Sequence, residues 1–137
     1  MTTLQFRLLL IASLVTGITA GFFDFVFPST IPESFMQAQA AYDAKQSTTS
    51  LIYLLVTCLV GVAGLISTFI GLFRFRPWAP RIAVFTTLIL VLAYPAMGVT
   101  VSSGWASALT ELSSYIWGFI LAVVYYSPIK EKFIATR

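Results

Sequence analysis

The chain contains no histidine and a single cysteine, Cys58. A lone thiol closes no internal disulfide, and without imidazole a transition-metal site lacks its commonest ligand. Charge is equally scarce: 9% of the 137 residues are charged, where a soluble domain carries roughly 25%. No charged residue lies between Gln46 and Phe73, or between Ile82 and Thr110. Nucleotide-binding glycine loops, a His-Glu-x-x-His helix and a Ser/His/Asp set are all missing from the sequence. General acids, metal ligands and phosphate binders are thus barely supplied, so the chain is expected to be no enzyme and to carry no cofactor.

What remains is apolar. Hydrophobic residues make up 58% of the chain, and its mean hydropathy is +0.91. About 20 helical residues span the hydrocarbon core of a bilayer, and both charge-free runs are that long. Between them stands Arg74 to Arg81, RFRPWAPR, a short basic turn. The expected fold is all-α: an integral membrane antiparallel bundle of four transmembrane helices, forming one domain over residues 1–137. The helices are predicted at about 6–27, 50–73, 82–101 and 107–126. Ile18-Thr19-Ala20 resembles a signal-peptidase site, but the apolar run continues through Phe27, so the first helix is expected to be retained. Pro28 ends it, and Pro95 is expected to bend the third helix.

The one long polar stretch follows Pro28. Thr30 and Glu33 have capping-box spacing, with Pro32 in the first turn between them. Ile31, Phe35, Ala38 and Tyr42 fall on one helical face, which predicts a short amphipathic helix at about 31–45, outside the membrane or stacked on the second span.

Charge gives the threading. Arg7, Arg74, Arg76, Arg81, Lys130, Lys132 and Arg137 fall on one side, and only Lys45 on the other. The positive-inside rule then puts both termini in the cytoplasm. The net charge of +3 reflects these membrane-edge patches and no nucleic-acid partner is expected. Trp78, Trp105, Tyr125 and Tyr126 fit an interfacial aromatic belt.

Contacts between helices in lipid depend on small residues, since apolar side chains gain nothing by leaving a hydrocarbon solvent. Gly61, Gly64, Thr68 and Gly71 form such a face on the second helix, Gly17 and Gly21 on the first, and Ser114 and Gly118 on the fourth. The third has a bulky centre at Leu88 to Leu92. Helices one, two and four are therefore expected to form the tight core, with helix three facing lipid. The same glycine faces also suit a homo-oligomer or a membrane-protein partner.

Two acids stand out as candidate binding residues. Asp24 lies at the C-terminal turn of the first helix within FFDFVF, where the helix dipole and apolar surroundings make an uncompensated carboxylate costly. Lys45, Thr48 and Thr49 are its nearest expected partners. Glu111 is placed one turn into the fourth helix, where the dipole favours it. Convergence of the two would give a carboxylate pair able to hold a proton or a cation. Tyr94, beside Pro95, and Trp117 lie nearer mid-membrane and are candidate packing or ligand contacts.

The segments LFRFRPWAPR, SSGWASALTELSSYIWG and VVYYSPIKEKF together resemble small, uncharacterised four-helix inner-membrane proteins of bacteria. That resemblance implies a location and an architecture, and no activity. The chain does not resemble small multidrug exporters, whose first helix carries a mid-membrane glutamate, or tetraspanins, whose outer segment carries cysteine pairs. The expected function is that of a non-enzymatic accessory or interaction subunit working through helix contacts. The alternative is a small carrier or channel for protons, cations or an amphipathic molecule, using the acids of the outer side.

Overall fold

The computed structural model describes residues 1–94 and 100–134. All regular structure among them is helical. Three helices are long and apolar enough to cross a membrane: α1 (Thr3–Val26), α3 (Thr48–Phe73) and α5 (Gly104–Tyr126). At 1.5 Å per residue they are about 35–39 Å long. Between α1 and α3 lies α2 (Glu33–Asp43); α4 (Ala79–Ala93) is a shorter apolar helix, and α6 (Lys130–Ile134) is a terminal turn.

Local chemistry sets most boundaries. Thr2 and Gln5 form a reciprocal capping box at the start of α1, with Thr2 N–H donating to Gln5 Oε1 at 2.8 Å. Ser47 and Ser103 cap α3 and α5 by accepting N–H bonds from Ser50 and Ala106. The third helix begins at Ala79, not Ile82, because Pro80 sits in its first turn, where proline is pre-organised. Helix α4 gives way after Ala93; residues 95–99 of the expected span, with the Pro95 bend, lie outside the described residues, as does Arg137, and Thr100 and Val101 are not helical. The fourth helix starts at Gly104, which takes Gly104 and Trp105 out of the expected turn.

The capping box predicted at Thr30 and Glu33 is absent. Pro28–Thr30 forms a 3-10 turn, and the Thr30 hydroxyl donates to Phe27 O at 2.7 Å, leaving α2 without a side-chain cap. Helix α2 buries no residue, and no other described element packs on it. Its Phe35 and Tyr42 stripe is exposed.

The long helices pack as two antiparallel pairs, α1 with α5 and α3 with α4, while α1 and α3 barely touch. This corrects the expectation that helix three is peripheral. Five of the 15 residues of α4 are buried, against four of 26 in α3. The reason is a small-residue face: Ala79, Ala83, Thr86 and Ala93, with Leu90 between, spaced by fours and threes. It meets the glycine face of α3. A Cβ at Gly64 would stand 2.6 Å from Thr86 Oγ1, one at Gly61 2.6 Å from Leu90, and one at Gly71 2.7 Å from Ala79. The bulky Leu88 and Leu92 lie on the opposite, exposed face.

The two pairs are joined at the Arg74 end. There the hydrophobic core gathers Phe6 and Leu10 of α1, Leu72 of α3, Ala79 and Ala83 of α4, Ile120, Val123 and Val124 of α5, and Phe133 of α6. Phe75 completes it, 5.7 Å from the Phe6 ring and 5.4 Å from that of Phe133. The α3 terminus is a Schellman turn, with Arg76 N–H on Gly71 O at 2.8 Å and Phe75 N–H on Leu72 O at 3.2 Å. Phe75 therefore holds φ 54°, a left-handed conformation normally left to glycine.

Gly64→Leu drives methylenes into Thr86 and should destabilise by about 1–3 kcal/mol. Gly21→Ala, where a Cβ meets nothing within 4 Å, should be neutral or gain up to about 1 kcal/mol. Unfolding in mixed detergent, followed by circular dichroism, separates the two, and equal effects would refute the seam. Phe75→Gly relieves about 1–2 kcal/mol of backbone cost but forfeits the contacts of a partly buried ring with Phe6 and Phe133, a loss below the about 3–5 kcal/mol of a fully buried phenylalanine but above the backbone gain. The same titration should therefore show a net loss of stability.

Candidate functional site: a cavity between the helix pairs

Moving from the joined end towards Asp24, the pairs part around a cavity of ≈ 690 Å³. Gly17 and Gly21 of α1, Ser114 and Gly118 of α5, Leu65 of α3, Leu90 of α4 and Tyr94 just after it contribute to its walls. At its Arg74-side limit Trp117 lies against Phe69, ring centroids 5.3 Å apart. Its indole N–H donates to Thr87 Oγ1 at 2.9 Å, a polar tie between the two pairs. Thr87 in turn donates to Ala83 O at 2.8 Å, so both groups are satisfied inside an apolar wall.

The cavity exists because small residues face a gap instead of a helix. On α1, Gly17 packs on α5, where a Cβ would lie 3.1 Å from Ser113 Oγ, and Ser113 donates to Ser13 O at 3.2 Å. Four residues on, Gly21 has open space, and so does Gly118 further along α5, beside Trp117. Among the described glycines, Gly17, Gly61, Gly64 and Gly71 let helices approach, whereas Gly21 and Gly118 face the gap between pairs.

Among the described residues, no Asp, Glu, Lys or Arg lines the cavity. Asp24 stands just beyond it, half-buried, one turn past Gly21. Its Oδ2 accepts the Ser103 N–H at 2.9 Å, and Oδ1 lies 3.4 Å from the Thr30 hydroxyl. The latter contact is secondary, because that hydroxyl already has a shorter bond to Phe27 O. The partner is thus the N-terminus of α5, not Lys45, Thr48 or Thr49. Electrostatically the carboxylate faces the negative end of its own helix but the positive end of α5, where unpaired N–H groups welcome an anion.

Glu111 is exposed and lies two turns into α5, since that helix starts earlier than expected; the dipole benefit fades beyond the first turn. It has no hydrogen bond or ion pair among the described residues and is eight positions along the helix from Ser103, about 12 Å of rise. Asp24 and Glu111 are therefore not brought together. Lys45 is exposed in the turn after α2, and Tyr94 is exposed at the cavity wall. No group of three or more metal-ligating side chains occurs among the described residues.

The Thr87–Trp117 tie escaped the sequence reading. Its one trace there is a pair of hydroxyls, Thr86 and Thr87, in an otherwise apolar run. Comparison with protein-family models, with curated proteins and with solved structures finds no match.

Asp24→Ala should cost about 0.5–2 kcal/mol, the usual loss for a helix N-terminal cap, with Asp24→Asn intermediate because one acceptor oxygen remains. Amide hydrogen exchange should accelerate around 103–106 in Asp24→Ala and stay unchanged around the Leu72 core. Uniform acceleration along the chain would contradict a local cap.

Proposed function

We propose that this chain is a non-enzymatic, four-helix protein of the bacterial inner membrane that binds a neutral hydrophobic or amphipathic molecule between its helix pairs. The observation that carries the reading is the cavity: ≈ 690 Å³, charge-free, and walled by apolar groups with a few hydroxyls. Small-molecule sites run from about 300 to 1,000 Å³ with mostly apolar walls and few polar groups. A proton or cation carrier is less well supported, because the cavity holds no carboxylate and Asp24 is engaged at the end of α5.

Four crossings are favoured by the positions of the chain ends. Phe75 packs beside Phe6, at the start of α1, whereas Ser103 bonds to Asp24, near its finish. The segment between Phe75 and Ser103 therefore runs from one end of the molecule to the other. Together with the basic bias at the Arg74 end, this supports cytoplasmic termini.

A second reading is the accessory subunit. It draws on Gly21 and Gly118, whose open faces also suit close approach of a partner's membrane helix. The glycines of α3 do not add to it, since α4 occupies them.

Native mass spectrometry after gentle extraction distinguishes the readings. The protein is expected to retain a stoichiometric neutral small molecule, and the double variant Gly21→Leu, Gly118→Leu to lose it while keeping its helix content. An adduct that persists in the double variant would refute the cavity as its site. A stoichiometric second protein in place of the small molecule would transfer the reading to the accessory subunit.

A further inference from the structure

A second recess lies on the same face of α1, further towards the Arg74 end, and shares Leu14 and Phe69 with the central cavity. We propose that it is a binding site for an anionic phospholipid, with an acyl chain in the recess and the phosphate held by Arg74 and Arg7. The proposal is independent of the central cavity and of its ligand.

The recess is a groove of ≈ 320 Å³ between α1 and α3. Its walls include Ile11 and Leu14 of α1 and Ile70 and Phe73 of α3, and Arg74 is its one charged lining residue among the described residues. The groove is open because neither helix offers a small residue at this crossing, so the backbones stay apart. Ile11 and Ile70 are both about half exposed, at 46% and 50%. In a bilayer, a hydrocarbon chain is the species that meets them.

A second cation is fixed at the same end. The Arg7 guanidinium lies 5.0 Å from the Phe73 ring centroid and 5.6 Å from that of Phe75. Stacking engages the face of a guanidinium and leaves its N–H donors, which lie in the plane, free for an oxyanion. Arg7 is one helical turn from Ile11, so the cation and the groove wall share a face of α1. Neither arginine has an ion-pair partner among the described residues, and the one acid at this end of the sequence is Glu131. Charge and hydrocarbon are thus offered side by side at a helix end. A free phosphate would leave the apolar groove empty, and a zwitterionic lipid would bring a cation up to two arginines. An anionic phospholipid matches both parts, as basic recesses between membrane helices do elsewhere.

The test uses the full chain in a non-ionic detergent, titrated with dioleoyl phosphatidylglycerol or dioleoyl phosphatidylcholine and read by native mass spectrometry. The anionic lipid should bind more tightly, with a first site filled before any others. Removing one cation near a lipid headgroup costs about five-fold, so Arg74→Gln should weaken phosphatidylglycerol by that factor and spare phosphatidylcholine. Ile11→Trp, which fills the groove and keeps both arginines, should weaken both lipids. Arg81→Gln removes a cation at the same end but outside the groove, and should leave the affinity unchanged. Excess inorganic phosphate should not displace the lipid. Equal affinity for the two lipids would overturn the proposal. So would an Arg81→Gln loss matching that of Arg74→Gln, no loss in Ile11→Trp, or displacement by phosphate alone.

Discussion

The joint of Phe6, Phe75 and Phe133 is the contact on which the rest of the structure depends. Every described helix except α2 reaches the core around it, and it is where the α1/α5 and α3/α4 pairs are held together. The contact is made possible by a turn in which phenylalanine takes a left-handed backbone. Glycine there would be less strained but would contribute no ring. With the pairs fixed at one end and tied by Trp117 and Thr87 further along, they are free to part beyond that level. The cavity follows from where the joint is and where it stops.

In lipid the usual gain from burying apolar surface is absent, so pairing is decided by how closely backbones approach. Gly61, Gly64 and Gly71 take α4 as their partner because it offers Ala79, Thr86 and a notch-filling Leu90. Gly17 takes α5. The pair-to-pair contacts have no comparable seam and rest on large aromatic and aliphatic groups at one end. This division explains why the open spaces lie between pairs and not within them. It also separates the two proposed ligand environments: the central cavity is without charge, whereas the outer groove ends at Arg74.

Much of this was legible in the sequence, for identifiable reasons. Apolar runs with little or no charge located the long helices to within a few residues, because their length and apolarity are local properties. The glycine face of α3 was visible for the same reason, but its partner was not, since the small face of α4 is interleaved with the conspicuous Leu88-to-Leu92 run. Thr30 and Glu33 have the spacing of a capping box, yet the Thr30 hydroxyl is taken by Phe27 O, a competitor the spacing does not reveal. Asp24 was noticed because it is costly where it stands, but its partner, the Ser103 N–H, is 79 residues away in sequence. The cavity itself had no signature, because an unfilled gap is a property of two helix pairs and not of any one segment.

The central claim is the pairing, and disulfide trapping in native membranes tests it most directly, in a Cys58→Ser background. A Cβ at Gly64 would lie 3.3 Å from the Thr86 Cβ, and one at Gly17 3.1 Å from Ser113 Oγ, which leaves the Ser113 Cβ one bond further off. Bridged cysteines have Cβ atoms about 3.5–4.5 Å apart, so the Gly64→Cys, Thr86→Cys pair and the Gly17→Cys, Ser113→Cys pair should both close under mild oxidation. The Gly17→Cys, Gly64→Cys pair, which asks α1 to meet α3 in place of its own partner, should remain reduced. Efficient closure of that third pair, with the first two unreacted, would contradict the two-pair arrangement and with it the cavity.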